Sequence, residues 1–380
     1  MSLYSDSKHS DRIPISQPCL GELELEYVTE AVRSTWVGPT GFFIEKMKEE
    51  FAHEIGVAHA IPVSNGTVAL HLALLAVGIE EGDEVIVPSL TYIAPVNAVM
   101  YCGGIPVFVD VQEDSWCISP DDILKLITSK TKAIIVVHLY GMPANMNEIM
   151  KIAQAHNIRV VEDAAEAMFA KYGNSYVGGI GDIATFSLFG NKILSSGEGG
   201  IVTTNNRDLA EKVELLKGQG MDPSRRYWFP VVGFNYRMTN VAAAIFCAQF
   251  ARRQSLIERR WQVYSTYDEI FSGVDGITIQ LDAQGVTRSP WLYPILLNQV
   301  TEEKKYKIMA VLESKGIETR PFFIPIHTMP PYATFKPRLE LDKTEKLSRI
   351  GLNLPTFPDL QVKQAAWIAD TLLNVVNETR

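Results

Sequence analysis

The stretch AIIVVHLYGMPANMNEIMKIAQAHNIRVVEDAAE, residues 133–166, decides the fold. It begins with an apolar run of strand length, continues with a helical pattern over 146–157, and ends with a second apolar run that leads to Asp163. A strand, a helix and another strand in this order are typical of a βα repeat with parallel strands. We therefore expect an α/β fold whose mostly parallel central sheet is covered on both faces.

The same alternation continues on either side of this stretch. Further apolar runs of strand length occupy 84–89, 105–111, 183–190 and 200–204, and 67–78 has a helical pattern. Beyond about residue 256 the pattern of predicted elements changes. A polar helical segment is followed by one strand-like run, another helix and a proline-rich loop at 321–332. The sequence thus predicts a polar segment 1–12, a large α/β domain 13–255 and a smaller C-terminal α+β domain 256–380.

Composition excludes several classes of partner. The chain has 35 basic and 44 acidic residues, and this acidic balance argues against nucleic acid, whose phosphates select basic faces. No apolar run approaches the roughly 18–20 residues that span a bilayer, and the N-terminus lacks the apolar core of a signal peptide. The cysteines are scattered without metal-ligand spacing, so we expect no metal site and a cytoplasmic protein with reduced thiols.

The segment SNGTVALHLALL (64–75) could bind an anion. Ser64, Asn65 and Gly66 open directly into an apolar helix, with Thr67 at its start. Free N–H groups and the positive end of the helix dipole attract phosphate, and glycine lets it approach closely. The alternative is ordinary helix capping by Ser64 or Asn65.

Two candidate acidic residues lie in the run RVVEDAAE (159–166). Asp163 lies where the strand gives way to a helical pattern, at the sheet edge where open α/β folds bind ligands. Its carboxylate could hold a protonated ring nitrogen or could only cap the next helix. Glu166, three residues later, could face the same cleft.

The segment FSLFGNKILSSGEGG (186–200) contains one lysine, Lys192. A phosphate-binding P-loop is excluded, because Asn191 precedes the lysine and Ile193 follows it. Either Lys192 is a solvated loop residue, or burial lowers its pKa and makes a neutral amine available for Schiff-base chemistry. An anion-binding helix start, a strand-end aspartate and such a lysine together form the set that pyridoxal phosphate requires, and Ser187 could add a phosphate contact.

Four motifs resemble a known family. SNGTVALHLAL, EDAAEA, TFSLFGNKILSSGEGG and GFNYRMTN, in this order, are similar to the DegT/DnrJ/EryC1/StrS family of pyridoxal-phosphate-dependent nucleotide-sugar aminotransferases. The resemblance extends from PISQP (14–18) to NLPTFPDL (353–360). It implies the fold type I (aspartate aminotransferase-like) architecture and a homodimer whose two active sites are shared between subunits.

The resemblance also implies roles for individual residues. Lys192 would form the internal aldimine with pyridoxal 5'-phosphate and then move protons, and Asp163 would pair with the pyridine nitrogen. Asn235 would reach the phosphate from the neighbouring subunit. The complete set of implied cofactor-binding residues is Gly66, Thr67, Tyr92, Asp163, Glu166, Ser187, Lys192 and Asn235, with Tyr92 stacking on the ring unless it is an ordinary buried aromatic.

The expected reaction takes an amino group from L-glutamate, through pyridoxamine phosphate, to C4 of a nucleotide-linked 4-keto-6-deoxy sugar. GNK and GQGMDPSRRYWFP (218–230) are most similar to family members that convert GDP-4-keto-6-deoxymannose to GDP-perosamine for surface polysaccharide. A dTDP- or UDP-linked sugar is the alternative, and a catalytically silent protein of this fold is disfavoured because Lys192 and Asp163 occur together.

Candidate substrate-binding residues are Trp36, Arg237 and His327. Trp36 lies in TWVGPTG (35–41), a segment that departs from the usual family pattern and is expected to line the sugar site. Arg237 could neutralise a carboxylate or diphosphate, or could form a surface ion pair. His327 could face the sugar or be structural. The related 3-dehydratases carry histidine at the lysine position, so Lys192 argues against that activity.

Overall fold

The structure, a computed structural model, describes residues 12–379. The predicted N-terminal segment 1–12 therefore lies outside the described residues except for Arg12, whose guanidinium lies 2.9 Å from the Glu313 carboxylate.

Helices and strands alternate over the first two thirds of the described chain, as predicted. In residues 12–379 the α-helices are α1 (Glu22–Arg33), α2 (Phe42–Ile55), α3 (Gly66–Ala76), α4 (Ala94–Tyr101), α5 (Pro120–Leu126), α6 (Met146–His156), α7 (Arg207–Lys217), α8 (Asn240–Ala251), α9 (Arg253–Phe271), α10 (Glu302–Ser314), α11 (Asp342–Ile350) and α12 (Val362–Thr379).

The strands of the same residues are β1 (His59–Val63), β2 (Glu84–Pro88), β3 (Ile105–Val109), β4 (Thr131–Val137), β5 (Arg159–Asp163), β6 (Lys171–Tyr172), β7 (Ser175–Tyr176), β8 (Ile183–Ser187), β9 (Gly200–Thr204), β10 (Ile277–Ile279), β11 (Val286–Thr287), β12 (Tyr293–Leu297), β13 (Arg320–Pro321) and β14 (Gly351–Leu354).

The central sheet has seven strands in the order β1-β9-β8-β5-β4-β2-β3. The five strands from β8 to β3 pair in parallel, whereas β9 runs antiparallel to both β8 and β1. This confirms the expected α/β fold with a mostly parallel sheet. Because the carboxyl ends of parallel strands lie at one edge, β5 and β8 deliver Asp163 and Ser187 to the same side of the molecule.

Local features of the sequence stabilise the strand–helix–strand unit predicted over 133–166. The Asn145 side chain caps α6 by accepting from the Glu148 N–H, and apolar residues such as Ile149 and Ile152 face the core. The helix ends at Asn157, whose φ of 53° lies in the left-handed region that asparagine tolerates. The chain then returns as β5 beside β4, with Val137 paired to Asp163.

One local prediction is wrong. The residues that follow Asp163 form turns rather than a helix. The Ala165 N–H donates to Asp163 Oδ1 at 3.1 Å, and the Ala164 N–H donates to the Thr185 carbonyl of β8 at 2.9 Å. These bonds hold the backbone against the sheet edge, so local turn chemistry and a neighbouring strand outweigh the helix propensity of alanine.

The C-terminal part of the chain contains an antiparallel sheet of the order β10-β12-β14-β13. A second hydrophobic cluster packs this sheet against α9, α10 and α12, with Tyr264, Tyr267 and Tyr293 at its centre. Helix α9 joins the two cores, because Leu256 belongs to the larger cluster and Val263 to the smaller one. A division into domains at residues 255 and 256 stays a prediction.

Candidate active site

Lys192 lies in the loop between β8 and β9, at the same sheet edge as Asp163. Its backbone N–H donates to the Phe189 carbonyl at 2.9 Å, so the loop turns back sharply after the strand. Burial lowers the pKa of the Lys192 amine, and the nearby carboxylates of Glu166 and Asp163 only partly offset this effect. Lys192 is thus a half-buried lysine beside two acids, an environment that favours the hypothesis of a neutral amine over that of a solvated loop lysine.

Both acids are buried and receive few hydrogen bonds. Burial raises the pKa of Asp163 more than the Ala165 N–H and the Lys192 charge lower it. Burial also raises the pKa of Glu166, to about 7, against the opposing effects of Lys192 and of the Tyr140 N–H that donates to Glu166 Oε2 at 2.8 Å. These carboxylates can therefore bind a proton or a cationic ligand at this edge.

Gly66 and Ser187 meet at the start of α3. A Cβ atom placed on Gly66 would lie 2.9 Å from the Ser187 Cβ, and one on Gly200 would lie 2.5 Å from the Asn65 carbonyl oxygen. The Asn65 side chain caps the helix by accepting from the Val68 N–H at 3.0 Å. The helix start is thus both capped and closely packed against the residue that carries the Ser187 hydroxyl, and the N–H groups of a first helical turn, that of Thr67 among them, have no partner within the helix.

Tyr92 and three other aromatic residues form a row that ends at Lys192. The Lys192 Nζ lies 4.0 Å from the centroid of the Trp291 ring, and Trp291, Tyr140 and Phe323 follow one another with stacked rings. Tyr92 continues the row at 6.0 Å from Phe323. The Tyr92 side chain is 58% exposed and is not the ordinary buried aromatic of the alternative hypothesis.

Asn235 and Arg237 lie on an exposed segment beside β1. The Tyr236 carbonyl accepts from the Ser64 N–H at 2.8 Å, which places the segment next to the start of α3. Arg237 Nη2 donates to Asn235 Oδ1 at 3.4 Å, and both side chains are exposed. Among residues 12–379, no Asp or Glu carboxylate forms an ion pair with the Arg237 guanidinium within 4 Å.

The other two substrate candidates occupy different surroundings. Trp36 is 60% exposed, and its backbone carbonyl accepts from Asn240 Nδ2 at 2.7 Å, so the 35–41 segment is tied to the start of α8. His327 is mostly buried, with Nδ1 2.8 Å from Ser89 Oγ and Nε2 3.6 Å from a Glu345 oxygen. The structure brings His327 to the end of β2, near Tyr92, but engages both ring nitrogens within the chain.

Two residues that contact Lys192 carry no recognisable sequence signal. Trp291 precedes a strand in the C-terminal part of the chain, and Arg260 lies in the middle of α9. Trp291 Nε1 donates to the Asn191 carbonyl at 2.9 Å, and Arg260 Nη2 donates to the Lys192 carbonyl at 3.3 Å. An isolated tryptophan or arginine far away in the sequence cannot be assigned to a site without the tertiary structure.

These features fit pyridoxal phosphate. The tight contact of Gly66 with Ser187 leaves backbone N–H groups and a hydroxyl for a phosphate, and the buried Asp163 carboxylate suits a protonated ring nitrogen. Among residues 12–379 no group of three or more His, Cys, Asp or Glu side chains could hold a metal ion. No helix within those residues is both long and apolar enough to cross a membrane.

The family model of the DegT/DnrJ/EryC1/StrS aminotransferase family matches residues 18–373. The chain belongs to this family. As a member it is an aminotransferase with pyridoxal phosphate as cofactor, as the sequence motifs implied. Its substrates are an amino donor and a nucleotide-linked sugar.

Curated relatives match this aminotransferase over nearly its full length. The GDP-perosamine synthase of Escherichia coli O157:H7 is 45% identical, with 95% of this chain and 97% of the relative covered. The GDP-perosamine synthase of Caulobacter vibrioides is 46% identical, over 92% of this chain and 94% of the relative. The GDP-perosamine synthase of Vibrio cholerae is 39% identical, over 96% of this chain and 99% of the relative.

Solved structures confirm fold type I for the aminotransferase. A putative sugar aminotransferase from Streptococcus pneumoniae in its PMP form superposes with a TM-score of 0.92 at 26% identity, covering 97% of this chain and 98% of that one. Helicobacter pylori PseC, an aminotransferase involved in the biosynthesis of pseudoaminic acid, superposes with a TM-score of 0.91 at 26% identity. The match covers 97% of this chain and 100% of PseC. DesV of S. venezuelae superposes with a TM-score of 0.88 at 31% identity, and the match covers 97% of this chain and 99% of DesV.

Proposed function

We propose that this aminotransferase moves an amino group from L-glutamate to C4 of GDP-4-keto-6-deoxymannose and produces GDP-perosamine. The observation that carries the proposal is the 39–46% identity to three GDP-perosamine synthases, each matched over at least 94% of its length. We also propose a cytoplasmic location, since all four cysteines are free thiols.

Each candidate cofactor residue has a role in this proposal. Gly66, Thr67 and Ser187 hold the phosphate, Tyr92 packs on the ring, and Asp163 holds the ring nitrogen in its protonated form. Glu166 completes this environment from the turn after β5. Pyridoxal phosphate, when bound, supplies an aldehyde that condenses with amines and a ring that withdraws electrons.

Lys192 performs the proton transfer. Its Nζ would hold the cofactor covalently, and as a free amine it would accept the proton from the α-carbon of the amino donor and deliver a proton to C4 of the sugar. An amine can accept a proton only in its neutral form. The burial that lowers the pKa of Lys192 therefore supports this role.

We propose that two copies of the chain share each active site and that Asn235 contacts the phosphate bound by the partner. The exposure of Asn235 and Arg237 supports this arrangement, because both side chains lie on an open surface of the described chain, where a second copy could reach them. Large exposed apolar side chains nearby also favour association. They include Tyr101, Tyr227, Trp228, Phe229 and Val232.

Substrate recognition is assigned to Arg237, Trp36 and His327. Arg237 is an exposed guanidinium without a carboxylate partner among the described residues, which suits it to a carboxylate or a diphosphate of the substrate. Trp36 offers an exposed ring on the 35–41 segment, against which a sugar could pack. His327 contributes through its position beside Ser89 near the end of β2.

The substrate assignment is tested with the loaded enzyme in two half-reactions. Glutamate should remove the visible absorbance of the bound cofactor, and GDP-4-keto-6-deoxymannose should restore it. The matched dTDP- and UDP-linked keto sugars serve as comparisons at equal concentration. Faster recovery with either of them would reject the GDP assignment, and a protein that cannot be loaded with pyridoxal phosphate would reject the proposal as a whole.

Replacing Lys192 with alanine tests the assignment of the reactive amine. Turnover should fall by at least about 10⁴-fold, because the variant lacks both the covalent attachment and the proton carrier. The Lys212→Ala variant, which changes a lysine of α7, is the control and should keep normal turnover. Normal turnover of Lys192→Ala would refute the role of this residue.

A further inference from the structure

Trp291 contacts the loop that carries Lys192 at two points. The face of its ring lies 4.0 Å from Lys192 Nζ, and its Nε1 donates to the carbonyl of Asn191, the preceding residue, at 2.9 Å. The side chain is only 3% exposed, so its position is set by packing. One tryptophan thus covers the amine and holds the backbone from which the amine extends.

Arg260 also forms a hydrogen bond with the backbone of the loop that carries Lys192. Its guanidinium donates to the carbonyls of Lys192 at 3.3 Å, Trp291 at 3.1 Å and Thr356 at 3.0 Å. The side chain is 1% exposed, and burial lowers its pKa to about 10. A buried guanidinium is costly to desolvate, and this one ties the Lys192 carbonyl to the carbonyls of Trp291 and Thr356 in the C-terminal part of the chain.

The consequence for Lys192 follows from the chemistry of a long side chain. A free lysine side chain samples many rotamers, and a misplacement of about 1 Å can cost about 100-fold in rate. The indole face is also a flat, buried surface 4.0 Å from the Lys192 amine. Fixing the Lys192 backbone and offering its amine one resting surface would limit the positions that Nζ explores.

We propose that Trp291 and Arg260, together the lysine clamp, are positioning residues that orient Lys192 for proton transfer. The inference rests on the proposed function of Lys192 and adds a contribution from the C-terminal part of the chain. Arg260 on α9 and Trp291 before β12 thus determine where the Lys192 amine lies. The amine itself belongs to the loop between β8 and β9 of the central sheet.

The experiment compares Trp291→Leu and Trp291→Phe with the wild type and with Trp261→Phe, a control on α9 whose ring packs on Tyr264. Each protein is loaded with pyridoxal phosphate. The readouts are kcat and KM with glutamate, the isotope effect of α-deuterated glutamate, and the circular dichroism of the cofactor band relative to its absorbance. The last quantity reports how rigidly the attached lysine orients the cofactor.

Trp291→Leu should lower kcat by about 100-fold with an unchanged KM, because positioning rather than binding is lost. Its isotope effect should rise and its relative circular dichroism should fall. Trp291→Phe keeps the ring but loses the N–H donor, so kcat should fall by about 2- to 10-fold. Trp261→Phe should match the wild type. If Trp291→Leu does not fold, the isotope effect and circular dichroism of Trp291→Phe decide the question.

Failure of the clamp and failure of the proposed function give different results. Borohydride reduction of the loaded wild type, followed by peptide mass spectrometry, should place the pyridoxyl group on Lys192. A label on another lysine would refute the proposed function. A label on Lys192, combined with wild-type kcat and circular dichroism in the folded Trp291 variants, would refute the clamp alone.

Discussion

Glu162 and Asp163 are neighbours on β5, yet the fold treats their carboxylates in opposite ways. Glu162 accepts hydrogen bonds from the N–H groups of Gly178, Ile180 and Gly181 at 2.7–2.9 Å, and its Oε2 lies 3.0 Å from His138 Nε2. Burial alone would raise the pKa of Glu162, but His138 and the N–H donors outweigh it, so the pKa is lowered.

Asp163 points to the other face of the strand and has little of this support. Successive side chains of a strand alternate between faces, so adjacent acids enter different environments. The Ala165 N–H donates to Asp163, and burial raises the Asp163 pKa. The comparison teaches that the carboxylate satisfied by the protein is structural, whereas the under-satisfied one is available to a ligand.

The largest effect is expected from Asp163→Asn. This change should lower kcat/KM by about 10³-fold, because a neutral amide cannot stabilise a protonated ring nitrogen. The melting temperature of the cofactor-free protein should stay the same, since few internal bonds are lost. Steady-state kinetics and a thermal melt measure the two quantities, and a large drop in melting temperature with normal kinetics would reverse the roles assigned to these neighbours.

Glu162→Gln should show the opposite pattern. Both Glu162 oxygens accept N–H groups, so the amide nitrogen of glutamine would face a donor and leave buried groups unsatisfied. We expect a loss of about 3 kcal/mol in the free energy of unfolding, measured by urea denaturation. Glu148→Gln, at an exposed position on α6, is the matched control. Unchanged stability of Glu162→Gln would contradict a structural role.

The smallest effect concerns Glu166 and pH. Its pKa of about 7 in the folded protein exceeds its ordinary value of 4.5, so the folded state binds this proton more tightly than the unfolded state does. The resulting stability is present in full below pH 4.5 and is lost as pH rises through about 7. Relative to Glu166→Gln, the cofactor-free wild type should therefore lose about 2–3 kcal/mol between pH 5 and 8. Parallel pH profiles for the two proteins would contradict this environment for Glu166.

The sheet was predictable, and the candidate site residues Asp163, Ser187 and Lys192 could be selected, because their signals are local. Apolar runs separated by a helical pattern specify parallel strands, and Asp163 and Ser187 lie in two of those runs. The exclusion of a P-loop needed only the neighbours of Lys192. The helix expected after Asp163 was wrong because hydrogen bonds to the Asp163 side chain and to β8 decide that turn.

The sequence by itself determined the fold class, the family and which lysine and aspartate to consider, since these depend on periodicity and on short motifs. The tertiary structure decided which acid of Glu162 and Asp163 is satisfied, that Tyr92 is exposed, and that Trp291 and Arg260 reach Lys192. These facts depend on desolvation and on contacts between segments about 70 to 100 residues apart. Such contacts leave no periodic trace in a single sequence, because their energy arises only when distant side chains share one buried space.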